Sequence, residues 1–214
     1  MDKKKILIIG LIILTLTGCT RITNNYEEII ATTINNKNSP VNTVSTGYEL
    51  YIPLGVTQVS DNEYNQKLKI KDHYVYLYVD TISYYYKNTL NNHQEENYNY
   101  YYQEINNNNK IGYIGINQQE DGTYFCNIVY NYSKIEFYSN LADLKIILAN
   151  SLIIQNSIKF NDALIKTTLE GNSSDGKEIK YQLDKPKDTE STFSKVLQEY
   201  VADEKDEVIL PDED

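Results

Sequence analysis

The sequence predicts an α+β domain in which an antiparallel sheet is packed with helices. Three observations lead there. Short segments with two-residue alternation fill the middle of the chain. Asn, Asp and Gly turn signals separate them. From Leu141 the apolar period changes to that of a helix, which gives the segregated helix and sheet order of the α+β class.

The elements follow in chain order. Asn24 or Asn25 is placed to cap a helix, with Glu27 or Glu28 completing a capping-box-like start. Ile22, Tyr26, Ile29, Ile30 and Ile34 recur at helical spacing, and the helix is expected to end between Asn35 and Pro40 and to pack against the domain. Tyr48, Leu50 and Ile52 mark a strand that Pro53 and Gly55 close. Leu68 and Ile70 mark another, and Lys71, Asp72 and His73 read as a turn. Val75, Leu77 and Val79 alternate with Tyr74, Tyr76 and Tyr78, giving one aliphatic face and one tyrosine face. This strand is expected to continue through Ile82 and Tyr84. Residues 87–99 are polar and aperiodic, a loop. Tyr98, Tyr100 and Tyr102 begin the next strand, a turn follows at 106–109, and Ile111 to Ile116 is a strand. Asp121-Gly122 is a hairpin signal. Phe125 to Tyr132 continues the sheet, with Tyr124, Cys126, Ile128 and Tyr130 on one face.

Ser139 or Asn140 then caps the main helix. Leu141, Leu144, Ile147, Leu148, Ser151, Ile154 and Ile158 line its apolar face, which should lie across the sheet. A short helix is expected from Asn161 to Gly171, a loop at 173–176 and a strand at 179–183. After Pro186 the character changes. Phe193, Val196, Leu197, Tyr200 and Val201 fit one face of a short helix. From Asp184 to Asp214 there are 11 acidic and 4 basic residues, a net charge of −7. Such blocks stay solvated.

The first residues read as a secretory signal. Lys3, Lys4 and Lys5 are followed by an apolar run from Ile6 to Leu16, which is short of the ~20 residues of a stable membrane span. The run ends in Leu16-Thr17-Gly18-Cys19. This motif resembles the lipobox of bacterial lipoproteins. The resemblance implies cleavage between Gly18 and Cys19, a diacylglyceryl group on the Cys19 thiol, and a lipid-anchored protein on the extracytoplasmic face of the cell membrane. Two acyl chains hold firmly where one holds only marginally. The domain plan is thus a signal peptide at 1–18, an anchor with N-terminal helix and linker at 19–46, an α+β domain at 47–185, and an acidic tail with a short helix at 186–214.

The whole chain carries a formal charge of −10. Cleavage would remove a net +2 and make the rest more acidic. That balance argues against nucleic-acid binding, which uses basic patches, and against electrostatic docking on anionic lipid. Only Cys19 and Cys126 are present, so lipidation leaves Cys126 without a disulfide partner.

Little in the sequence points to catalysis. The two histidines, His73 and His93, fall in a turn and a polar loop and read as solvated. There is no Gly-x-Ser-x-Gly signature. His93 lies near Glu95 and Glu96, but no second donor cluster stands at metal-ligand spacing, and no cofactor is implied. Cys126 reads as a buried small hydrophobe.

The 21 tyrosines partly reflect AT-rich codons, which also favour Ile, Asn and Lys. Their clusters nevertheless give the candidate binding residues. Tyr84, Tyr85 and Tyr86 are expected in one strand and Tyr98, Tyr100 and Tyr102 in the next. If those strands pair, they form an aromatic surface for a sugar or a partner protein. Phe193, Leu197 and Tyr200 form a candidate docking segment in the tail.

Tyr51-Ile-Pro-Leu-Gly55 and the Leu141 to Phe160 helix leading into Ser-Ile-Lys-Phe resemble the PsbP/Mog1-type fold found in some bacterial lipoproteins. The resemblance implies an α/β/α sandwich. The functional expectation is a non-enzymatic lipoprotein that binds an envelope protein or glycan. The alternatives are a glycan-acting envelope enzyme, whose carboxylates the sequence does not single out, and a small solute-binding lipoprotein.

Overall fold

The computed structural model describes residues 25–36, 40–89, 97–171 and 177–185. Cys19, His93, the signal segment and the tail residues Phe193, Leu197 and Tyr200 lie outside the described residues.

The fold is α+β, and among the described residues two antiparallel sheets pack with four helices. Helix α1 (Tyr26–Asn35) is followed by strands β1 (Thr43–Ser45), β2 (Tyr48–Leu50), β3 (Val56–Asn62), β4 (Asn65–Ile70) and β5 (His73–Val79). Then come α2 (Thr81–Tyr86), β6 (Tyr101–Asn107), β7 (Lys110–Gln118), β8 (Tyr124–Tyr130) and β9 (Ser133–Ser139). Helix α3 (Leu141–Ser157), strand β10 (Lys159–Phe160) and helix α4 (Asp162–Glu170) complete it. The large sheet has the order β3-β4-β5-β9-β8-β7-β6, and the small one β1-β2-β10.

The alternation seen in the sequence sets the two faces of the large sheet. The register places Val75 opposite Phe137, Cys126 opposite Phe137, and Ile116 opposite Cys126. All lie on one side, with Leu68, Leu77, Ile114, Ile128 and Ile135, and all are buried. Leu144, Ile147, Leu148, Leu152 and Ile154 of α3 join them in one core cluster. Helix α1 packs along α3 and contributes Ile30. Asn156 of α3 ties the two helices: its Nδ2 donates to the carbonyls of Thr33, Ile34 and Asn36. Carbonyls at the end of a helix otherwise lack partners.

Local signals explain the helix starts. The side chains of Asn25, Asn140 and Asn161 accept from backbone N–H groups in the first turns of α1, α3 and α4, the N-cap chemistry that asparagine suits.

Six points differ from the sequence expectation. The strand ending at Val79 does not continue through Ile82 and Tyr84. Asp80 caps a helix there by accepting from the Ser83 N–H at 2.8 Å, and Lys87 ends it in the left-handed region. Local capping outweighs the β preference of Ile and Tyr. Strand β3 is an added edge strand whose residues are mostly exposed, so it carries no apolar alternation to detect. Strand β9 was hidden because its hairpin turns on Asn131 and Tyr132, both at positive φ, and tyrosine is an unusual residue there. Leu141, expected on the apolar face of the main helix, is more than half exposed at its first position. Residues 179–183 form no strand; they cross the sheet as an irregular segment.

His73 is the sixth. It is the first residue of β5 and is buried. Its Nε2 lies 3.0 Å from Asp143 Oδ2, and Asp143 also accepts from Lys71 and Asn140. The cluster pins the N-terminal turn of α3 to the β4–β5 hairpin. Lys71 first, then His73 and Asn140, hold the Asp143 carboxyl below the usual carboxylate range. A carboxyl depressed in the folded state contributes stability that is present above its unfolded value, about 3.9, and is lost as pH falls through the folded one. Asp143→Asn should therefore cost about 1–3 kcal/mol at pH 7. It should also flatten the loss of stability between roughly pH 5 and 2. Chemical denaturation at stepped pH measures both.

Candidate functional site

The helices cover one face of the large sheet, and its opposite face is the candidate site. The register gives that face Tyr74, Tyr76 and Tyr78 of β5, Lys134, Glu136 and Tyr138 of β9, and Phe125, Asn127 and Val129 of β8. Strand β7 adds Tyr113, Gly115 and Asn117, and β6 adds Tyr102 and Glu104.

At the β6–β7 side three tyrosines cluster. Tyr98 stacks on Tyr102 with ring centroids 5.6 Å apart, and Tyr113 lies 6.0 Å from each. Gly115 makes room for this. A Cβ placed on it would meet the Tyr98 ring at 2.1 Å, so only glycine lets the ring lie flat on the strand. Asn127 Nδ2 donates to the Tyr113 hydroxyl at 3.1 Å and to the Tyr98 hydroxyl at 3.3 Å. Burial, then the neighbouring Tyr98, pushes the Tyr113 phenol well above its ordinary value, so it stays neutral and able to donate. Asn117 accepts from the Asn99 N–H at 2.9 Å and donates to Asn97 O. These bonds fix the segment that carries Tyr98.

At the β4–β5 side, residues 177–185 lie on the face. Asn65 replaces a strand ladder: Nδ2 donates to Lys177 O at 3.1 Å, and Oδ1 accepts from Ile179 N at 2.9 Å. Tyr181 packs on Tyr76 with centroids 5.0 Å apart. Between the two sides, Phe125 and Tyr138 pack at 5.2 Å. Beside Tyr138 an open recess of about 590 Å³ is lined by Gln182, Leu183, Asp184 and Lys185. At the other end of the sheet a more apolar recess of about 260 Å³ lies among Tyr78, Ile111, Val129 and Tyr132.

The six tyrosines singled out in the sequence are not brought together. Tyr84, Tyr85 and Tyr86 are on α2, not on a strand, and α2 does not pair with β6. Tyr84 is a packing residue: it stacks on Phe160 at 3.8 Å, lies beneath the Lys87 ammonium and packs against Tyr132. Tyr85 touches Tyr86, which is exposed. Tyr98 and Tyr100 precede β6 rather than lying in it. Tyr100 contacts Tyr26 and Tyr124 on the helix-covered side. Only Tyr98 and Tyr102 share the open face. Tyr76, Tyr113, Asn127 and residues 177–185 were missed as site residues. The alternation at 74–78 and the glycine inside β7 were the available signals.

His73 and Asp143 meet, but Ser139, at the end of β9, has a buried hydroxyl with no hydrogen-bond partner, and His73 Nδ1 is likewise unpartnered. A nucleophile needs both a base in reach and access to substrate. Cys126 is fully buried and burial pushes its thiol up, which suits an inert packing residue. Among the described residues no group of three or more His, Cys, Asp or Glu is placed to hold a metal ion. Among them, too, no helix is long and apolar enough to cross a membrane.

No protein-family model matches the chain. No curated protein matches it either. Among solved structures, a crystal structure from Bacteroides thetaiotaomicron VPI-5482 is similar over 58% of this chain and 49% of that one, with 10% identity and a TM-score of 0.35. The chain thus spans about half the length of that protein, and a likeness of this size carries no functional argument.

Proposed function

We propose that the chain is a lipoprotein precursor, lipidated at Cys19. Its domain would act as a non-enzymatic binding module on the extracytoplasmic face of the cell membrane. The binding surface is the helix-free face of the large sheet. The observation that carries this reading is the one-sided layering. An antiparallel sheet with one face on a core commonly presents polar residues on the other; here that other face presents Tyr98, Tyr102, Phe125 and Tyr138 among amides and charges. Aromatic rings that combine apolar area with a hydroxyl suit a partner surface or a sugar ring. The Leu16-Thr17-Gly18-Cys19 motif supports the address.

Two variants test the two parts separately. The N-terminal peptide of the wild-type protein should begin at Cys19 and carry the acyl mass, and Cys19→Ser should abolish both. A wild-type N-terminal peptide without acyl mass would refute the anchor. Tyr98→Ser combined with Tyr102→Ser should weaken binding to purified cell-wall glycan, or cross-linking to an envelope protein, about tenfold or more, consistent with two lost aromatic anchors. Unchanged binding would move the site off this face.

A further inference from the structure

Residues 177–185 cover the β4–β5–β9 part of the open face, and their attachment is unlike that of the rest of the fold. Three ion pairs hold them: Lys67 with Asp184 at 2.8 Å, Lys134 with Glu178, and Lys185 with Asp121 at 2.9 Å. The Tyr76 hydroxyl donates to Asp184 at 2.8 Å. The Lys67 ammonium, then Tyr76, holds the Asp184 carboxyl below the usual range, so this end is charged at neutral pH. The Asp184 and Lys185 side chains are about half exposed, at 51% and 48%. Exposed pairs of this kind hold weakly and are screened by salt.

What lies beneath is aromatic. Tyr76 alternates with Leu77 on β5 and so points away from the core, yet only 6% of it is exposed. The residue packed on its ring is Tyr181. The segment therefore buries part of the same tyrosine surface that continues through Tyr138 and Phe125 to Tyr98 and Tyr102.

We propose that residues 177–185 are a displaceable strap that covers half of the open face and competes with the ligand for it. The inference rests on the reading of that face as the binding surface. With the strap in place, the Tyr98–Tyr102 side is available; with it displaced, Tyr76 and Tyr78 extend the platform across the sheet.

The test is hydroxyl-radical footprinting of the full-length protein, read by mass spectrometry at Tyr76, with Tyr130 as the internal control. Tyr130 is fully buried on the opposite, helix-covered face. In Glu178→Gln combined with Asp184→Asn, Tyr76 labelling should rise about fivefold while Tyr130 stays protected, since sub-global opening leaves the core intact. Wild-type protein in about 0.5 M salt should move the same way, because screening acts on these pairs without altering the sequence. The double variant should also bind purified cell-wall glycan more tightly. Tyr76 remaining as protected as Tyr130 in both the variant and salt would make the segment an integral layer of the fold and overturn the proposal. Tyr76 opening with no gain in binding would overturn the competition. Neither result touches the Tyr98 and Tyr102 test, whose failure would instead remove the binding reading while leaving the footprint to decide whether the strap moves.

Discussion

Phe137→Ala should lower the unfolding free energy by about 3–5 kcal/mol, the range for deleting a large buried aromatic side chain. Phe137 stands on the central strand β9, fully buried, opposite Val75 on one side and Cys126 on the other. Helix α3 closes the cluster above it, so a cavity left there is walled by a packed helix and two paired strands and has little freedom to collapse. For a domain of this size the loss corresponds to a fall in melting temperature of about 10 °C. Thermal unfolding followed by far-ultraviolet circular dichroism measures it. A fall of only a degree or two would mean that α3 does not seal the sheet as described.

Gly112→Ala is the second large effect. A Cβ on Gly112 would sit 1.9 Å from the Val129 carbonyl oxygen and 2.8 Å from the Tyr130 Cα. Both are backbone atoms, so no rotamer change relieves the contact. Strands β7 and β8 would have to separate where Gly112 pairs with Tyr130. Overpacking of this kind costs about 1–3 kcal/mol or somewhat more. Because the strain lies in the ladder, the amide hydrogens of β7 and β8 should exchange faster in this variant than in Phe137→Ala at equal overall stability. Hydrogen exchange resolved by strand separates the two.

The core was legible in the sequence and the site much less so. Period-two alternation marked Val75, Leu77 and Val79 as inward, and Val75 and Leu77 meet Phe137 and Ile135 across the ladder. The helix from Asn140 was legible for the same kind of reason, together with its cap. Alternation says nothing about edges, and so the polar edge strand β3 was invisible. It also says nothing about which strands become neighbours. Tyr84 and Tyr98 were expected side by side, yet a helix started by one carboxylate, Asp80, turns the chain away before any pairing. The open face was half legible: the Tyr74, Tyr76 and Tyr78 pattern marked a tyrosine face. That residues 177–185 lie on it depends on contacts between Glu178 and Lys134 and between Asp184 and Lys67, which are distant in sequence. Pairs of this kind leave no local period.

The strand order has a consequence for how the chain finds its fold. Strands β3, β4 and β5 are joined by consecutive hairpins, and so are β6, β7, β8 and β9. Each set is a local meander. They meet at one seam, β5 against β9, whose partners Val79 and Ser133 are about fifty residues apart in sequence, so one large loop must close there. Helix α3 follows β9 directly and packs across the joined sheet, so the seam and the helix favour each other. Rates for topologies with non-local pairing are governed by such closures. The seven-stranded sheet thus behaves kinetically as two quickly formed halves that wait on a single docking event.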